Sequence, residues 1–443
     1  MRRSIYIALR FVGALDHRLR ERLTIAGWLV LSAGGAAAAA GLDSNLTVTY
    51  RAFAFLAALL VLSWAVSLFF SAHVEASREM PRYATAGEPF SYRVTVANRG
   101  ARPLAGVLVA EQFRDPRPGF DEWRRAREPG EERRNWFDRK VGYFRWRWLI
   151  DNRVPRDADP APLAPLAPGE RLALRLGFTP RRRGRIEFSG LTLGRPDPLG
   201  LVKGIARVPL PARLIALPRR YRLPKIPLPG RRRFQPGGVS LAASVGDSEE
   251  FLALRDYRPG DPLQRVHWKS FARTGKPVVK EYQDEFFERH ALVLDTGSGG
   301  EAGAGESAAF EDAVAIAASF VYTIDTQDCL LDLLFVGGET RAYTAGRGQM
   351  RAEHMLEVLA AVAPSEPAAF AALSRTVLAR RGTLSSVIAI FVNWDEERAR
   401  LVASLRAEGL EVRALLVRDG GEPPPGVLQL APGKIEQGLA GLR

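Results

Sequence analysis

The stretch SSVIAIFVNWDEERARLVASLRAEGLEVRALLV, residues 385–417, indicates the fold of the C-terminal third of the chain. It contains an apolar strand (385–392), a helix (396–409) and a second apolar strand (411–417). Two strands joined by a crossover helix pair in parallel within one sheet. The stretch therefore predicts an α/β domain.

The same alternation extends towards the N-terminus. Strands are predicted at 291–295 and 330–336, and helices at 308–324, 350–362 and 368–381. Apolar strands separated by helices imply a mostly parallel sheet that is covered on both faces. Ligands of such sheets bind at the carboxyl ends of the strands, and Asp295 ends the first of them.

The loop after Asp295 reads TGSGGEAGAGES. Gly297, Gly299 and Ala302 fit a dinucleotide pattern, but the predicted helix begins too late to place its N-terminus on a phosphate. The sequence contains no G-x-x-x-x-G-K-[ST] motif, so we do not expect the chain to hydrolyse nucleotide by itself.

Two apolar segments near the N-terminus predict a transmembrane α-hairpin. Leu23 to Leu42 and Ala52 to Ala72 each run without a charge for about the ~20 residues that a spanning helix needs. Six arginines precede the first segment and only Arg51 lies between the two, so the positive-inside rule places both termini in the cytoplasm. A buried helical hairpin of a soluble protein is the alternative.

A β-rich region follows the apolar segments. FSYRVTVANRG, from Phe90, alternates apolar and polar residues, and further short strands lie between 171 and 201, which favours a β-sandwich over 73–218. An insertion at about 114–168 alternates aromatic residues with arginines. It is typical either of a membrane interface or of an extra strand pair whose aromatic residues face the core.

The 443 residues carry a formal net charge of +14, which favours anionic partners such as lipid head groups, nucleic acid or an acidic protein surface. Arginine runs leave a nucleic-acid-binding protein as an alternative, although nothing indicates a specific nucleic acid. Cys329 is the only cysteine, which excludes an internal disulfide framework and a multi-cysteine zinc site.

FLALRDYRPGDPLQRVHWKSFART, residues 251–274, is the segment richest in chemistry-bearing side chains. Asp261 and His267 are candidates for acid-base work in a membrane-anchored hydrolase or transferase. However, no G-x-S-x-G nucleophile motif accompanies them. Turn chemistry favours a structural network or a partner-docking surface instead, and so do the two-pronged pairs that Arg258, Arg265 and Arg273 can make with carboxylates such as Asp256, Asp261 and Glu281. Anion binding is a further alternative.

This segment, with KPVVKEYQDE after it, closely resembles the signature of the bacterial "domain of unknown function 58" family. The matching residues are Arg255, Tyr257, Arg258, Gly260, Asp261, Arg265, His267, Trp268, Lys269, Arg273, Thr274 and Glu281. The resemblance implies a membrane hairpin, a β-rich region and a von Willebrand factor A-like domain of the Rossmann type. It also implies a MoxR-type AAA+ ATPase as partner, with a role in assembling or activating other proteins.

The resulting expectation is a multidomain, non-enzymatic adaptor in the bacterial inner membrane. The expected parts are a basic cytoplasmic N-terminus (1–22), two transmembrane helices (23–72), the β-sandwich (73–218), a Pro/Arg-rich linker (219–240), the signature segment (241–290) and the von Willebrand A-like domain (291–443).

The von Willebrand A resemblance also implies a metal loop that begins Asp-x-Ser-x-Ser. Asp295 matches the first position, but glycines 297 and 299 replace the serines. Asp295 and Ser298 are therefore the candidate Mg²⁺ ligands, and no other cofactor is expected.

Overall fold

The computed structural model describes residues 2–40, 47–128, 130–224, 250–261, 263–283, 288–297, 304–324, 329–337, 339–345, 351–366 and 368–440. The chain forms two compact units. The first consists of Met1–Arg219 with two short later pieces, and the second consists of Arg220–Gly300, Gly305–Val358 and Val362–Arg443. The fold is thus multidomain, with apolar helices at the N-terminus and both parallel and antiparallel strand pairs.

Three helices open the first unit: α1 (Arg2–Arg22), α2 (Ile25–Ala40) and α3 (Thr47–Ser67). Within the described residues, one stretch, Val48–Ser67, is long and apolar enough to cross a membrane. This is consistent with membrane association. The prediction of two spanning helices is not supported, because the 16 residues of α2 reach only about 24 Å at 1.5 Å per residue, short of a ~30 Å hydrocarbon core.

The start of α2 is fastened to a turn of the β-rich region. The Thr24 hydroxyl donates a 2.5 Å hydrogen bond to the carbonyl oxygen of Gly200. A Cβ atom at Gly27 would lie 2.1 Å from the carbonyl oxygen of Leu201, so only glycine allows this approach. Local sequence pattern could not predict this contact, because Thr24 and Gly200 lie more than 170 residues apart.

Eight strands build the β-rich region as a two-layer sandwich: β1 (Val74–Glu79), β2 (Tyr83–Thr85), β3 (Phe90–Asn98), β4 (Val107–Phe113), β5 (Ala161–Leu163), β6 (Arg171–Phe178), β7 (Gly184–Pro196) and β8 (Lys203–Leu217). One sheet has the order β1-β3-β6 and the other β2-β8-β7-β4-β5. Alternate residues of β3 (Tyr92, Val94 and Val96) share one core with Leu191 and Leu193 of the second sheet. The period-two pattern therefore produced the expected layer.

The aromatic insertion is helical, so the predicted strand pair is wrong. It contains α4 (Phe120–Arg125), α5 (Trp136–Val141) and α6 (Tyr143–Arg153). Trp123 and Trp146 are buried against Tyr6 of α1, whereas Trp136 is exposed. In α6 the buried positions 145, 146 and 149 follow the helical period, which the alternation of aromatic and basic residues concealed.

The second unit begins with β9 (Glu250–Asp256), α7 (Trp268–Thr274) and β10 (Val278–Gln283). The C-terminal elements are β11 (Glu288–Leu294), α8 (Ala304–Thr323), β12 (Cys329–Gly337), β13 (Glu339–Ala345), α9 (Ala352–Ala361), α10 (Ala369–Arg380), β14 (Ser386–Phe391), α11 (Glu396–Ala407), β15 (Glu411–Val417), β16 (Val427–Leu430) and α12 (Ile435–Leu439). The predicted alternation of strands and helices is confirmed, and β13 and β16 add two edge strands that the sequence analysis missed.

The six-stranded sheet has the order β13-β12-β11-β14-β15-β16. All neighbours pair in parallel except β12 and β13. All six residues of β14 are buried, as expected for a strand covered on both faces, and α10 and α11 pack against one of those faces. The parallel order brings the carboxyl ends of β11 and β14 side by side.

Candidate functional site

The signature module, residues 250–283, is a small structure separate from the six-stranded sheet. Strands β9 and β10 pair antiparallel, with Arg255 opposite Val279, and α7 lies in the connection between them. Among the side chains that the structure describes in this module, only Val266 and Val279 are buried. The module has almost no core of its own, so polar contacts must fix its shape.

An arginine–aspartate pair fixes the turn after β9. The guanidinium of Arg255 donates to both carboxylate oxygens of Asp261 at 2.7 and 2.8 Å, the two-pronged geometry that makes such pairs strong. The backbone N–H of Arg258 donates to the same carboxylate at 2.8 Å. The hydrogen bond from Arg255, followed by that from the Arg258 backbone, lowers the pKa of Asp261 to about 2. Asp261 is therefore ionised at neutral pH and holds the turn closed.

The predicted set of pairs was only partly right. We expected the guanidinium groups of Arg258, Arg265 and Arg273 to bind carboxylates, but Arg255 holds Asp261 and Arg258 contributes its backbone. The side chains of Arg265 and Glu281 lie outside the described residues. Gly260 has a φ of 108°, which the turn between Arg258 and Asp261 requires and which other residues rarely adopt.

His267 joins α7 to β10. Its backbone N–H donates to the carbonyl oxygen of Val278 at 2.9 Å, and its own carbonyl accepts from the N–H of Ser270 at 3.0 Å. Its Nδ1 atom lies 2.7 Å from Oγ of Ser270. The helix ends at Gly275, which has a φ of 67°. The described contacts thus pair His267 with Ser270, a residue that the sequence analysis did not name, and pair Asp261 with arginine.

The outer face of the module is apolar and basic. Trp268 is 59% exposed, and its ring packs edge-on against Phe271 with 6.0 Å between centroids. Leu254 and Leu263 are also exposed. The neighbouring exposed side chains are polar or basic: Lys269, Arg273, Thr274 and Lys276. Tyr257 is partly buried, and its backbone N–H donates to the carbonyl oxygen of Pro277 at 3.0 Å.

The second candidate site lies at the end of β11. Asp295 is 1% exposed and accepts a hydrogen bond of 2.7 Å from Nε of Arg398, which is 3% exposed. The N–H of Gly297 donates to its other oxygen at 2.9 Å. Arg398 also binds Asp395, the residue that caps α11, and its guanidinium lies 4.3 Å from the ring centroid of Phe370. Burial raises the pKa of Asp295, and the guanidinium of Arg398 opposes that effect.

This geometry bears on the predicted Mg²⁺ ligands. The positive charge beside Asp295 is supplied by Arg398, so a metal ion would have to displace an ion pair that is already buried. Ser298 lies outside the described residues. In the described part of the chain, no three His, Cys, Asp or Glu side chains form a group that could hold a metal. The Mg²⁺ site stays a prediction, with Asp295 as its one described ligand.

Arg398 is the functional-site residue that sequence reasoning missed most clearly. It lies 103 residues from Asp295, on the helix that follows β14. The sequence does contain a signal for this pair. Asp295 ends one predicted strand and Asp395 follows another, and neighbouring parallel strands bring their carboxyl ends together. Arg398 lies one helical turn after Asp395, so it is placed to reach both aspartates.

Comparison with known proteins supports the family resemblance. The family described as "Protein of unknown function DUF58" matches residues 253–437. The uncharacterized protein YeaD of Bacillus subtilis (strain 168) is 27% identical over 180 residues, which is 40% of this chain and 42% of YeaD. The chain therefore matches less than half the length of this curated relative. Both matches support the resemblance to the DUF58 family, which is described as a family of unknown function.

Two solved structures are similar to part of the chain. They are a crystal structure and a solution NMR structure of the CARDB domain of the PF1109 protein from Pyrococcus furiosus. The sequence identities are 12% and 11%, and the matches cover 33% and 31% of this chain and 86% and 94% of the CARDB chains. The TM-scores are 0.17 and 0.15, values at which the similarity carries no argument about fold or ligand.

Proposed function

We propose that this chain is a membrane-anchored adaptor that works with a MoxR-type AAA+ ATPase in the assembly or activation of client proteins. In this proposal the ATPase supplies the nucleotide hydrolysis for which the chain has no phosphate-binding motif. The α/β domain is of the von Willebrand A type, and the signature module is the surface that docks the ATPase. The family resemblance supplies the identity of the partner.

The observation that carries the proposal is a contrast within the signature module between polar side chains that are bonded to each other and aromatic side chains that are exposed. Its two candidate catalytic groups are used within the module, since Asp261 binds Arg255 and His267 contacts Ser270. Two of its aromatic side chains, Trp268 and Phe271, are exposed. A rigid base with exposed aromatic residues is typical of a protein-binding surface, because tryptophan is enriched among the residues that dominate binding energy.

The charge around the aromatic pair favours an acidic partner surface. Lys269 and Arg273 lie on the same short helix as Trp268 and Phe271, and Lys276 follows its end. Complementary charge of this kind speeds association and fixes the orientation of the partner. We therefore expect the docking surface of the ATPase to combine an apolar pocket with acidic residues.

The contacts give less support to the alternatives. A hydrolase or transferase that uses His267 and Asp261 requires the two groups to cooperate, whereas Asp261 is held by Arg255 and by the backbone of Arg258. Arg255 also keeps the pKa of Asp261 far below the range that a general base needs near neutral pH. No observation on the described residues favours a nucleic acid over an acidic protein.

The test compares two exposed tryptophans. The full chain is reconstituted in lipid nanodiscs, and its affinity for a MoxR-type ATPase of the same organism is measured with and without ATP and Mg²⁺. Trp268→Ala should raise Kd by about thirtyfold, the ~2 kcal/mol that marks a dominant interface residue. Trp136→Ala is the matched control, since Trp136 is 65% exposed but lies in the first unit.

Two results would contradict the proposal. The first is no binding of the wild-type chain to the ATPase in either nucleotide condition, which would remove the partner. The second is an equal affinity of the two tryptophan variants, which would leave the partner in place but remove the signature module as its docking surface.

A further inference from the structure

A large cleft opens within the first unit. It has a volume of about 1200 Å³ and lies between α1, α6 and the five-stranded sheet of the sandwich. Sites for small molecules usually measure ~300–1000 Å³, so this cleft accommodates a ligand larger than a typical metabolite. Nothing in the proposed adaptor function uses it.

Two helices give the cleft an apolar wall. The large apolar lining residues of α1 are 5, 9 and 12, and those of α6 and its C-terminal end are 146, 150 and 154. Residues three or four apart lie on the same face of a helix, so each helix presents one apolar stripe to the cleft. The residues of the wall are Ile5, Leu9, Val12, Trp146, Ile150 and Val154. Trp146 is buried, whereas Val12 is 57% exposed. Apolar surface left open to water at this scale is unfavourable, so the wall is suited to a hydrocarbon ligand.

The remaining lining is rich in charge, with a positive surplus. Seven arginines and five acidic residues line the cleft. Most of the acids are already bound: Asp16 by Arg20 at 2.9 Å, Glu21 by Arg207 at 2.7 Å, and Asp115 by Arg117 at 2.6 Å. Within the described part of the chain, Arg18 makes no ion pair. Six of the seven arginines are also in ion pairs, among them Arg114 with Glu187, Arg153 with Glu122 and Arg147 with Asp151. Among the described residues, Arg18 is therefore the lining arginine that remains for an anionic group on the ligand.

The cleft is continuous with the membrane-associated part of the same unit. Helix α1, which supplies one wall, is separated from α2 by only Leu23 and Thr24. Helix α2 in turn packs against α3, where a Cβ atom at Gly34 would lie 3.9 Å from Cβ of Leu56. The helix that could span a membrane therefore contacts α2, which follows the cleft helix α1 after two residues.

We propose that this cleft binds an anionic phospholipid. A hydrocarbon chain lies along the wall formed by Leu9, Val12 and Ile150, and Arg18 holds the phosphate group. The apolar wall favours a hydrocarbon chain, Arg18 favours an anionic head group, and the apolar helix α3 in the same unit favours the bilayer as the source.

The experiment uses the full chain extracted in a mild detergent. Native mass spectrometry counts the phospholipids that remain bound, and the chain is then titrated with phosphatidylglycerol, with phosphatidylcholine and with inorganic phosphate alone. The wild-type chain should retain one phospholipid and should prefer phosphatidylglycerol by about tenfold. Retention of none, or binding of inorganic phosphate without any lipid, would overturn the proposal.

Three variants locate the site. Val12→Trp fills the cleft and should lower lipid occupancy at least about tenfold. Arg18→Glu should abolish the preference for phosphatidylglycerol while phosphatidylcholine still binds. Ile7→Trp is the matched control, because Ile7 is 64% exposed on the same helix and does not line the cleft. Equal occupancy in the Val12 and Ile7 variants would place the lipid elsewhere and overturn the assignment.

A second substitution protects the test against a folding defect. If Val12→Trp lowers the yield of folded protein, Val154→Trp fills the cleft from the end of α6 instead. It should reduce lipid occupancy to the same extent, and unchanged occupancy would also overturn the proposal.

Discussion

The turn after β9 and the loop after β11 use the same pair of residue types in opposite ways. In the signature module, Arg255 holds Asp261 near the surface, with 35% and 15% of the two side chains exposed. At the end of β11, Arg398 holds Asp295 with 3% and 1% exposed. The first pair shapes a turn and leaves Trp268 and Phe271 exposed, whereas the second pair is buried at the carboxyl end of β11, where α/β proteins usually bind ligands.

This difference shows where the chain is suited to interact. A buried ion pair is costly to break because removing one partner leaves the other charge without compensation. Asp295 is therefore held by Arg398, and a ligand that binds it would have to displace this pair. The signature module has little core, and its exposed apolar and basic side chains remain available to a partner.

The largest expected effect comes from breaking the buried pair. Arg398→Met should destabilise the fold by ~3–5 kcal/mol, because Asp295 is left charged and buried. Thermal unfolding of the full chain in detergent measures the loss. Asp295→Asn combined with Arg398→Met should recover part of it, since the uncompensated charge is then gone.

Arg400→Ala is the matched control for that experiment. Arg400 lies on the same helix α11 and pairs with Glu396 at 2.6 Å, but both side chains are at least 70% exposed. Pairs exposed to this degree contribute little, so its unfolding temperature should match that of the wild type. An Arg398 variant as stable as the Arg400 variant would show that the buried pair does not stabilise the fold.

A smaller effect is expected from breaking the more exposed pair, Arg255–Asp261. The effect should appear as weaker binding of the ATPase. Arg255→Ala removes the two-pronged contact to Asp261 and should weaken ATPase binding by about tenfold, the cost of reordering the turn upon docking. Arg381→Ala breaks a comparable surface pair with Glu408, 3.0 Å long, outside the module and should leave Kd unchanged. If the two variants bind equally well, the turn geometry plays no part in docking.

The smallest effect is a pH dependence. The pKa of Asp261 is lowered to about 2, so its contact with Arg255 is fully present above about 3.9, the usual pKa of an aspartate, and is lost as the pH falls towards 2. Carboxyl ¹³C NMR should therefore show no titration of Asp261 between about pH 6 and about pH 4. A midpoint near 3.9 in the wild-type chain would mean that the pair does not form in solution.

Local pattern predicted the α/β domain well, and it failed where partners are distant in sequence. The stretch 385–417 folds as a strand, a helix and a strand because each element buries its own periodic apolar face. The pair Asp295–Arg398 could not be derived in this way, since it depends on β11 and β14 being neighbours. The Arg255–Asp261 pair was within reach, but several arginines of the motif were equally plausible partners.

The N-terminal region shows a different limit. Lack of charge predicted a first spanning helix at Leu23–Leu42, yet the helix begins at Ile25 and its described part ends at Ala40. A contact of its first turn with the distant Gly200 helps to set where it begins. In the insertion, the aromatic residues are compatible with a strand, a membrane interface or a helix. The structure shows helices there, with Trp123 and Trp146 buried against Tyr6.

Hydrogen exchange tests the central claim, that the signature module and not the carboxyl end of β11 docks a MoxR-type ATPase. Amide exchange of the full chain in nanodiscs is measured with and without the ATPase in the presence of ATP and Mg²⁺. We expect slower exchange in the peptides of α7 and β10, around Trp268, and unchanged exchange in the loop after β11. Protection confined to the loop at Asp295, or no protection in either region, would contradict the account.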